Sequence, residues 1–268
     1  MKLASLVVIG LVVLVAWWAA TARQNDLSIY HTADWWSPSS SFSILHRMNS
    51  VRVPYFLQHL ALPDGTSSVI DLGCGGGLVT EAIAVAATET SVVGFDISEE
   101  SLNQARDHGT HIPNLKYQYG SIYSIPLANG SVDAVIVSDV LEHLDRVPMA
   151  LDEIFRVLKP GGVVVFDTIA RTYWSWLSTY FIAQEVLGIV ERGAHAWSMF
   201  INPPELGTML RAAGFATNES DWIGIGAHMS LVNAWTMGSM YHLIESFHED
   251  KTDLRASYMG HALKPPRA

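Results

Sequence analysis

A glycine-rich bend that follows a short apolar run is the feature that most constrains this chain. Residues 69–77 read VIDLGCGGG, which predicts a buried strand and a tight turn, and residues 78–87 continue with apolar side chains at helical spacing. Glycine lets a backbone approach a ligand closely, and the start of the next helix offers free N–H groups. A second strand, residues 91–96, ends in Asp96, whose carboxylate can accept both hydroxyls of a ribose. The pattern predicts a nucleoside-containing cofactor.

The spacing of the glycines distinguishes between two classes of cofactor. Gly73 and Gly75 fit the dinucleotide fingerprint G-x-G-x-x-G, but its third glycine is missing. The pattern present is D-x-G-x-G-x-G, from Asp71 to Gly77, and it resembles motif I of the class I methyltransferases, which use S-adenosylmethionine. The resemblance implies that the three glycines bind this cofactor, that Asp71 lies near its methionine end and that Asp96 binds its ribose. A nicotinamide site and a glycine turn without a ligand are the alternatives.

Length and composition fit one large domain, or one domain with additions. The 268 residues are 49% apolar, which is enough for a substantial core. The formal net charge of −10 opposes contact with phosphate backbones, so nucleic acid is not expected as a partner. The single cysteine, Cys74, excludes an intramolecular disulfide framework.

The first 22 residues predict a membrane anchor. Residues 3–20 are almost unbroken in apolar character and are long enough to cross a bilayer, and Trp17 and Trp18 lie where an interfacial aromatic belt would fall. A cleaved signal peptide and a helix of a soluble core are the alternatives. We expect a single-pass anchor over residues 1–22, followed by a linker (23–33), a methyltransferase domain (34–263) and a tail (264–268).

Alternating strand and helix signals predict a doubly wound α/β sheet, with the ligand site at the carboxyl ends of its strands. The resemblance implies the Rossmann-like fold of class I methyltransferases, with seven mostly parallel strands and helices on both faces. Further strands are expected at 115–119, 132–138, 163–167, 215–223 and 253–262, and helices at 53–60, 98–109, 147–158, 205–213 and 237–247.

The segment before the first strand carries a second resemblance. Residues 34–36 read DWW and residues 45–52 read LHRMNSVR. This resembles the ubiquinone-biosynthesis O-methyltransferases, which carry a W-W motif and then L-H-R-x-N-x-x-R before the glycine loop. The resemblance implies that Arg52 reaches the carboxylate end of the cofactor, that Ile122 packs on the adenine ring, and that the backbone of Ser138 lies along the cofactor.

Three metal-ligating residue types follow the fourth expected strand, namely Asp139, Glu142 and His143. If the chain turns helical there, their spacing places all three on one face, where they could hold a divalent cation that favours an ionised phenol. The family carries E-x-x-E-H at this place, which implies magnesium, with Asp139 replacing the first glutamate. Without a metal, His143 is the expected general base.

An apolar insert is expected at residues 171–200, either as a core or lid helix or as an amphipathic element on a membrane. It resembles the family's insert, which ends in G-T-H and F-I-x-P-x-E-L; here residues 193–195 read GAH and residues 200–206 read FINPPEL. In the family this insert covers the active site and touches lipid. His195 is therefore a candidate for contact with the substrate.

Taken with the anchor, the resemblance implies S-adenosylmethionine-dependent O-methylation of a hydrophobic catechol or demethylated quinone precursor in ubiquinone biosynthesis. It also raises two expectations, assembly with other quinone-biosynthesis enzymes and a location at the mitochondrial inner membrane. Methyl transfer to another small or lipidic acceptor, and a membrane-tethered cofactor-binding subunit without catalysis, stay open.

Overall fold

The computed structural model describes residues 25–31, 33–60, 67–230 and 243–266. The predicted anchor, residues 1–22, lies outside this part of the chain, and so does most of the segment between residues 231 and 243. Within the described ranges, no helix has both the length and the apolar character needed to cross a membrane.

A mixed β-sheet forms the centre of the described structure. Its strands are β1 (Ser68–Leu72), β2 (Ser91–Asp96), β3 (Leu115–Tyr119), β4 (Val132–Ser138), β5 (Leu158–Ile169), β6 (Ile223–Met229), β7 (Ile244–Asp250) and β8 (Ser257–Leu263). Their order is β3-β2-β1-β4-β5-β8-β6-β7. Strands β1 to β5 pair in parallel, whereas β8 pairs antiparallel with β5 and β6, and β7 pairs antiparallel with β6.

Helices cover both faces of the sheet because the buried strands alternate their side chains between the two faces. Val135 and Val137 of β4 belong to the core on one face, and Ala134 and Ile136 belong to the core on the other. The helices are α1 (Ser43–His59), α2 (Leu78–Ala86), α3 (Glu99–Gly109), α4 (Val147–Val157), α5 (Tyr173–Ser175) and α6 (Pro203–Ala212). Side chains of α4 and α6 pack on the first face, and side chains of α1 and α2 pack on the second.

Local sequence signals set several boundaries correctly. The strands expected at 91–96, 115–119 and 132–138 have these bounds in the structure. Ser98 is the N-cap of α3, where its hydroxyl accepts a hydrogen bond from the backbone N–H of Ser101. The expected closing strand is β8, and it is antiparallel as predicted.

The number of strands and two segments near the end of the chain were predicted wrongly. The described sheet has eight strands rather than seven. The expected helix at 237–247 is wrong where it can be checked, because Ile244–Asp250 forms β7 and pairs with β6. The expected strand at 215–223 instead contains a short 3₁₀ helix, Glu219–Asp221, and β6 begins at its last residue. For β7 the deciding factor is its pairing with β6, which local apolar spacing does not encode.

The insert is helical but irregular. After α5, residues Trp176–Val186 form a π-helix, and the chain returns to the sheet layer through α6. π-Helical turns are rare in proteins overall, and those that occur are often found at functional sites. The geometry of the insert is therefore consistent with a functional role for the cavity that it borders.

Candidate active site

A cavity of about 720 Å³ lies at the carboxyl ends of the parallel strands, where the alternation of strands and helices predicted the ligand site. Asp71 from β1, Asp96 from β2 and Ser138 from β4 line it. The far side is formed by the segment before the domain, by α1 and by the insert. This volume is in the range of small-molecule and cofactor sites.

The three glycines of the loop take positive φ values, but only two of them line the cavity. Gly73 (φ 75°) and Gly75 (φ 52°) line the cavity. Gly77 (φ 86°) does not line it. A Cβ atom at Gly77 would lie 2.2 Å from the hydroxyl oxygen of Tyr117. Gly77 therefore allows β3 to pack against the loop, and its contact with the cofactor stays a prediction.

Asp96 is oriented by the backbone around it. Its two carboxylate oxygens accept hydrogen bonds from the N–H groups of Gly75 and Ser98, each at 2.8 Å. Because each carboxylate oxygen has two acceptor positions, two positions stay available towards the cavity. Burial raises the pKa of Asp96, which the backbone donors oppose. Ile122 also lines the cavity, and its contact with adenine stays a prediction.

Asp71 lines the cavity but is almost completely buried, with 2% of its surface exposed. The hydroxyl of Thr80 donates a hydrogen bond to its carboxylate at 2.6 Å. Burial raises the pKa of Asp71 to about 7, which the Thr80 hydrogen bond partly opposes. A nearby cation, such as a sulfonium or an ammonium group, would favour its ionised form.

Arg52, which is buried, and Asp139, which is partly exposed, form an ion pair instead of lying at separate sites. The guanidinium of Arg52, 2% exposed, donates to Asp139 and lies 3.5 Å from a carboxylate oxygen of Asp167. Burial would raise the pKa of Asp139, but the charge of Arg52 overrides this effect and holds the pKa below its usual range. The hydroxyl of Ser138 donates to Asp167 at 2.5 Å.

The prediction that Asp139 shares a helical face with Glu142 and His143 is wrong. Asp139 has a positive φ of 52°, which no helical turn contains, and the 3₁₀ turn begins only at Leu141. Its carboxylate faces Arg52. Asp139 is therefore not part of the candidate metal site, because its carboxylate is paired with the guanidinium of Arg52.

His195 of the insert takes the third place beside Glu142 and His143. One ligand atom from each of these side chains lies within 4.8 Å of the others. The imidazole rings of His143 and His195 stack with their centroids 5.2 Å apart. Sequence reasoning placed His195 near the substrate and did not connect it with the other two residues, since they lie more than 50 residues away in the chain and meet His195 only in the fold.

The electrostatics of this cluster follow from burial. Glu142 is fully buried, and burial raises its pKa to about 8. Burial lowers the pKa of His143 to about 3 and that of His195 to about 4, so both imidazoles are neutral near pH 7. Glu142 Oε1 and His195 Nδ1 are buried atoms that find no hydrogen-bond partner among the described residues. Such atoms are rare in folded proteins and indicate a place for a ligand.

His143 is held by two residues that the sequence analysis missed. The side-chain amide nitrogen of Asn25 lies 2.9 Å from His143 Nδ1, and the hydroxyl oxygen of Tyr30 lies 3.2 Å from His143 Nε2. Both belong to the stretch interpreted as a polar linker. The apolar residues Leu27 and Ile29 within that stretch were the only signal that it packs against the domain, and both line the cavity.

Solved structures resemble this fold over most of the chain. A S-adenosylmethionine-dependent methyltransferase from Aquifex aeolicus matches with a TM-score of 0.57 at 16% identity, covering 85% of this chain and 99% of that one. The YcgJ protein from Bacillus subtilis matches with a TM-score of 0.59 at 16% identity, covering 81% and 99%. A family model described as a methyltransferase domain matches residues 70–166. The fold and the cavity at its strand ends are those of the class I methyltransferases.

Curated relatives identify the family to which the chain belongs within this class. The ubiquinone biosynthesis O-methyltransferase of Bordetella pertussis is 37% identical over 185 residues, 68% of this chain and 75% of the relative. That of Hahella chejuensis is 32% identical over 233 residues, 86% and 90% of the two chains. The mitochondrial enzyme of Rattus norvegicus is 31% identical over 196 residues, and the match spans 56% of its length. This chain belongs to the family of the ubiquinone biosynthesis O-methyltransferases.

Proposed function

We propose that this protein transfers a methyl group from S-adenosylmethionine to an oxygen of a hydrophobic catechol or demethylated quinone precursor in ubiquinone biosynthesis. One observation carries the proposal. A single cavity joins Asp96 and the glycine loop to the histidine pair His143 and His195. A cofactor bound at the first end would therefore face an acceptor bound at the second.

The part of the cavity proposed to hold the acceptor, here called the acceptor half, is apolar. It is bordered by side chains from α1, from the π-helix and its following turn, and from β7 and the residue before it, namely Ile44, Met48, Ile182, Leu187, Leu243 and Phe247. Apolar surface of this kind favours a hydrophobic substituent over a charged one. A polyprenylated ring fits this chemistry, with its hydroxyl groups towards the histidines and its tail among the aliphatic side chains.

The contribution of the protein to the reaction is mainly alignment. Asp96 accepts the ribose hydroxyls, and the bare backbone at Gly73 and Gly75 lets the cofactor lie close to β1. Fixing the acceptor oxygen, the methyl carbon and the sulfur in line turns an encounter between two molecules into a step within one complex, which can supply about 7–11 kcal/mol of the barrier.

The residues at the cluster fit a divalent cation, although not the expected ligand set. The donor set would be the carboxyl group of Glu142, which a cation would have to ionise because burial raises its pKa to about 8, and the neutral imidazoles of His143 and His195. Glu142 Oε1 and His195 Nδ1 find no hydrogen-bond partner among the described residues. Imidazoles suit zinc and other transition metals better than magnesium. A bound cation would favour the ionised phenol of the acceptor. His143 could join it only by releasing Asn25 or Tyr30.

Methyl transfer tests the proposal directly. The full chain in detergent is incubated with labelled S-adenosylmethionine and a panel of catechols with and without prenyl tails. We expect labelled ether products, with preference for the prenylated compounds. Cofactor binding without transfer to any acceptor would support the non-catalytic alternative. Complete chelation followed by restoration with zinc or magnesium tests the cation, and full activity in the chelated protein would reject it.

We further propose that the insert faces a membrane. The support is a group of exposed side chains on and beside the π-helix, including Tyr173 (86% exposed), Trp174 (50%) and Val186 (58%). Aromatic side chains with one polar end favour the boundary between lipid and water. Trp174→Ser should weaken binding of the protein to liposomes. Tyr119→Ser, at an exposed residue on the distant edge strand β3, is the control.

A further inference from the structure

Residues 25–31, here called the strap, border the cavity and join two of its walls. The backbone N–H of Asp26 donates to the carbonyl of Gly193 in the insert at 2.9 Å. The hydroxyl of Ser101, at the start of α3, donates to the carbonyl of Tyr30 at 2.8 Å. The strap therefore connects the insert to the start of α3.

Asn25 joins three backbone and side-chain groups through one amide. Its Oδ1 accepts a hydrogen bond from the backbone N–H of Ala196. Its Nδ2 donates to the carbonyl of Glu142 at 2.8 Å and lies 2.9 Å from His143 Nδ1. A flipped amide would place its nitrogen against an N–H group and its oxygen against a carbonyl, so these two backbone partners fix its orientation.

The orientation of Asn25 determines the tautomer of His143. The amide nitrogen offers only donors, so His143 Nδ1 must accept and cannot carry a proton of its own. A neutral imidazole then carries its proton on Nε2, which donates to the hydroxyl oxygen of Tyr30 at 3.2 Å. The proton of Tyr30 is consequently free to point into the cavity, which Tyr30 lines.

We propose that Asn25 is a positioning residue that fixes His143 as the Nε2-protonated tautomer and ties it to the end of the insert, so that the Tyr30 hydroxyl is left to donate a hydrogen bond to an acceptor oxygen. In this arrangement both nitrogens of His143 are engaged. His143 therefore orients Tyr30 and does not act as the general base. The part that concerns the acceptor rests on the proposed function, whereas the tautomer does not.

The tautomer is measured without any reaction. The metal-free full chain is labelled with ¹⁵N-histidine in detergent micelles, and the signals of His143 are assigned by their loss in His143→Gln. We expect a protonated Nε2 and an unprotonated Nδ1 in the unmodified protein. Asn25→Asp replaces the donor with acceptors, so the proton should move to Nδ1. A protonated Nδ1 in the unmodified protein, or an unchanged tautomer in Asn25→Asp, would overturn the proposal.

Kinetics test the link to the acceptor. Asn25→Ala should lower kcat/KM by about 10- to 100-fold, by analogy with the loss of a partner that orients a metal-ligating histidine, while the Kd of the cofactor stays within about threefold. Tyr30→Phe keeps the ring and should mainly raise KM for the acceptor. Ser28→Ala, whose exposed hydroxyl contacts Asp26 in the same strap, should change nothing.

The outcomes separate the two proposals. If the unmodified protein methylates no acceptor, the proposed function fails, and the NMR result still decides the tautomer. If it is active and Asn25→Ala loses less than threefold in kcat/KM, the positioning role is wrong. Thermal unfolding of each variant identifies a loss of fold, and Asn25→Asp, which keeps the oxygen that accepts from Ala196, then decides the question.

Discussion

Replacing Asp96 with alanine should abolish tight binding of the cofactor. Two of the four acceptor positions of its carboxylate are taken by the N–H groups of Gly75 and Ser98, and the remaining two match the two hydroxyls of a ribose. A hydrogen bond to a charged group contributes about 1.5–3 kcal/mol. Loss of both therefore predicts at least about 3 kcal/mol, or roughly a 150-fold increase in Kd.

Isothermal titration of S-adenosylhomocysteine into the full chain measures this change. Asp96→Asn is the sharper variant, because its amide nitrogen must face one of the two backbone N–H groups, that of Gly75 or that of Ser98, whichever way the amide is turned. Asp107→Asn, on the exposed side of α3, controls for the loss of one negative charge. A folded Asp96→Ala protein that binds within threefold of the unmodified protein would refute the ribose role and the placement of the cofactor.

Two further predictions concern stability. Burial raises the pKa of Asp71 from its ordinary 3.8 to about 7, so the folded state retains a proton that the unfolded state releases. The free energy of unfolding should therefore fall as the pH rises from about 4 to 7, by at most about 4 kcal/mol from this group. Asp71→Asn should lack that loss, and urea unfolding at pH 5 and pH 8 compares the variant with the unmodified protein; an equal pH dependence in both would contradict the burial argument. Gly161→Ala, where φ is 83° and nothing lies within 4 Å of the added Cβ, should cost about 1–2 kcal/mol. Gly77→Ala, whose Cβ would overlap the Tyr117 hydroxyl, should cost a further ~1–3 kcal/mol, and equal melting temperatures for the two variants would reject the proposed packing.

The sequence predicted the parts of the fold and site that depend on neighbours in the chain. The glycine loop, the acid at the end of β2 and the N-cap Ser98 are local signals, and each has the expected position. The parallel half of the sheet followed from alternating strand and helix patterns. Strand β7 could not be predicted in this way, because its structure depends on pairing with β6 across a long connection.

The acceptor side could be predicted only in part. Glu142 and His143 were recognised from their spacing, but the third member of their cluster comes from the insert, and Asp139 was misplaced because spacing alone does not show which charge a carboxylate faces. A motif identifies residue types and does not identify their partners. Asn25 carried no motif, and its contacts with residues more than 100 positions away exist only in the folded chain.

The strap also limits the distance between the cavity and the expected membrane anchor. Asn25 follows residue 22, the expected end of the anchor, by three residues. Three residues of chain reach at most about 11 Å. If residues 1–22 form the expected anchor, Asn25 lies within about 11 Å of its end. The proposed quinone precursor could then present its ring to the enzyme while its tail remains in the lipid.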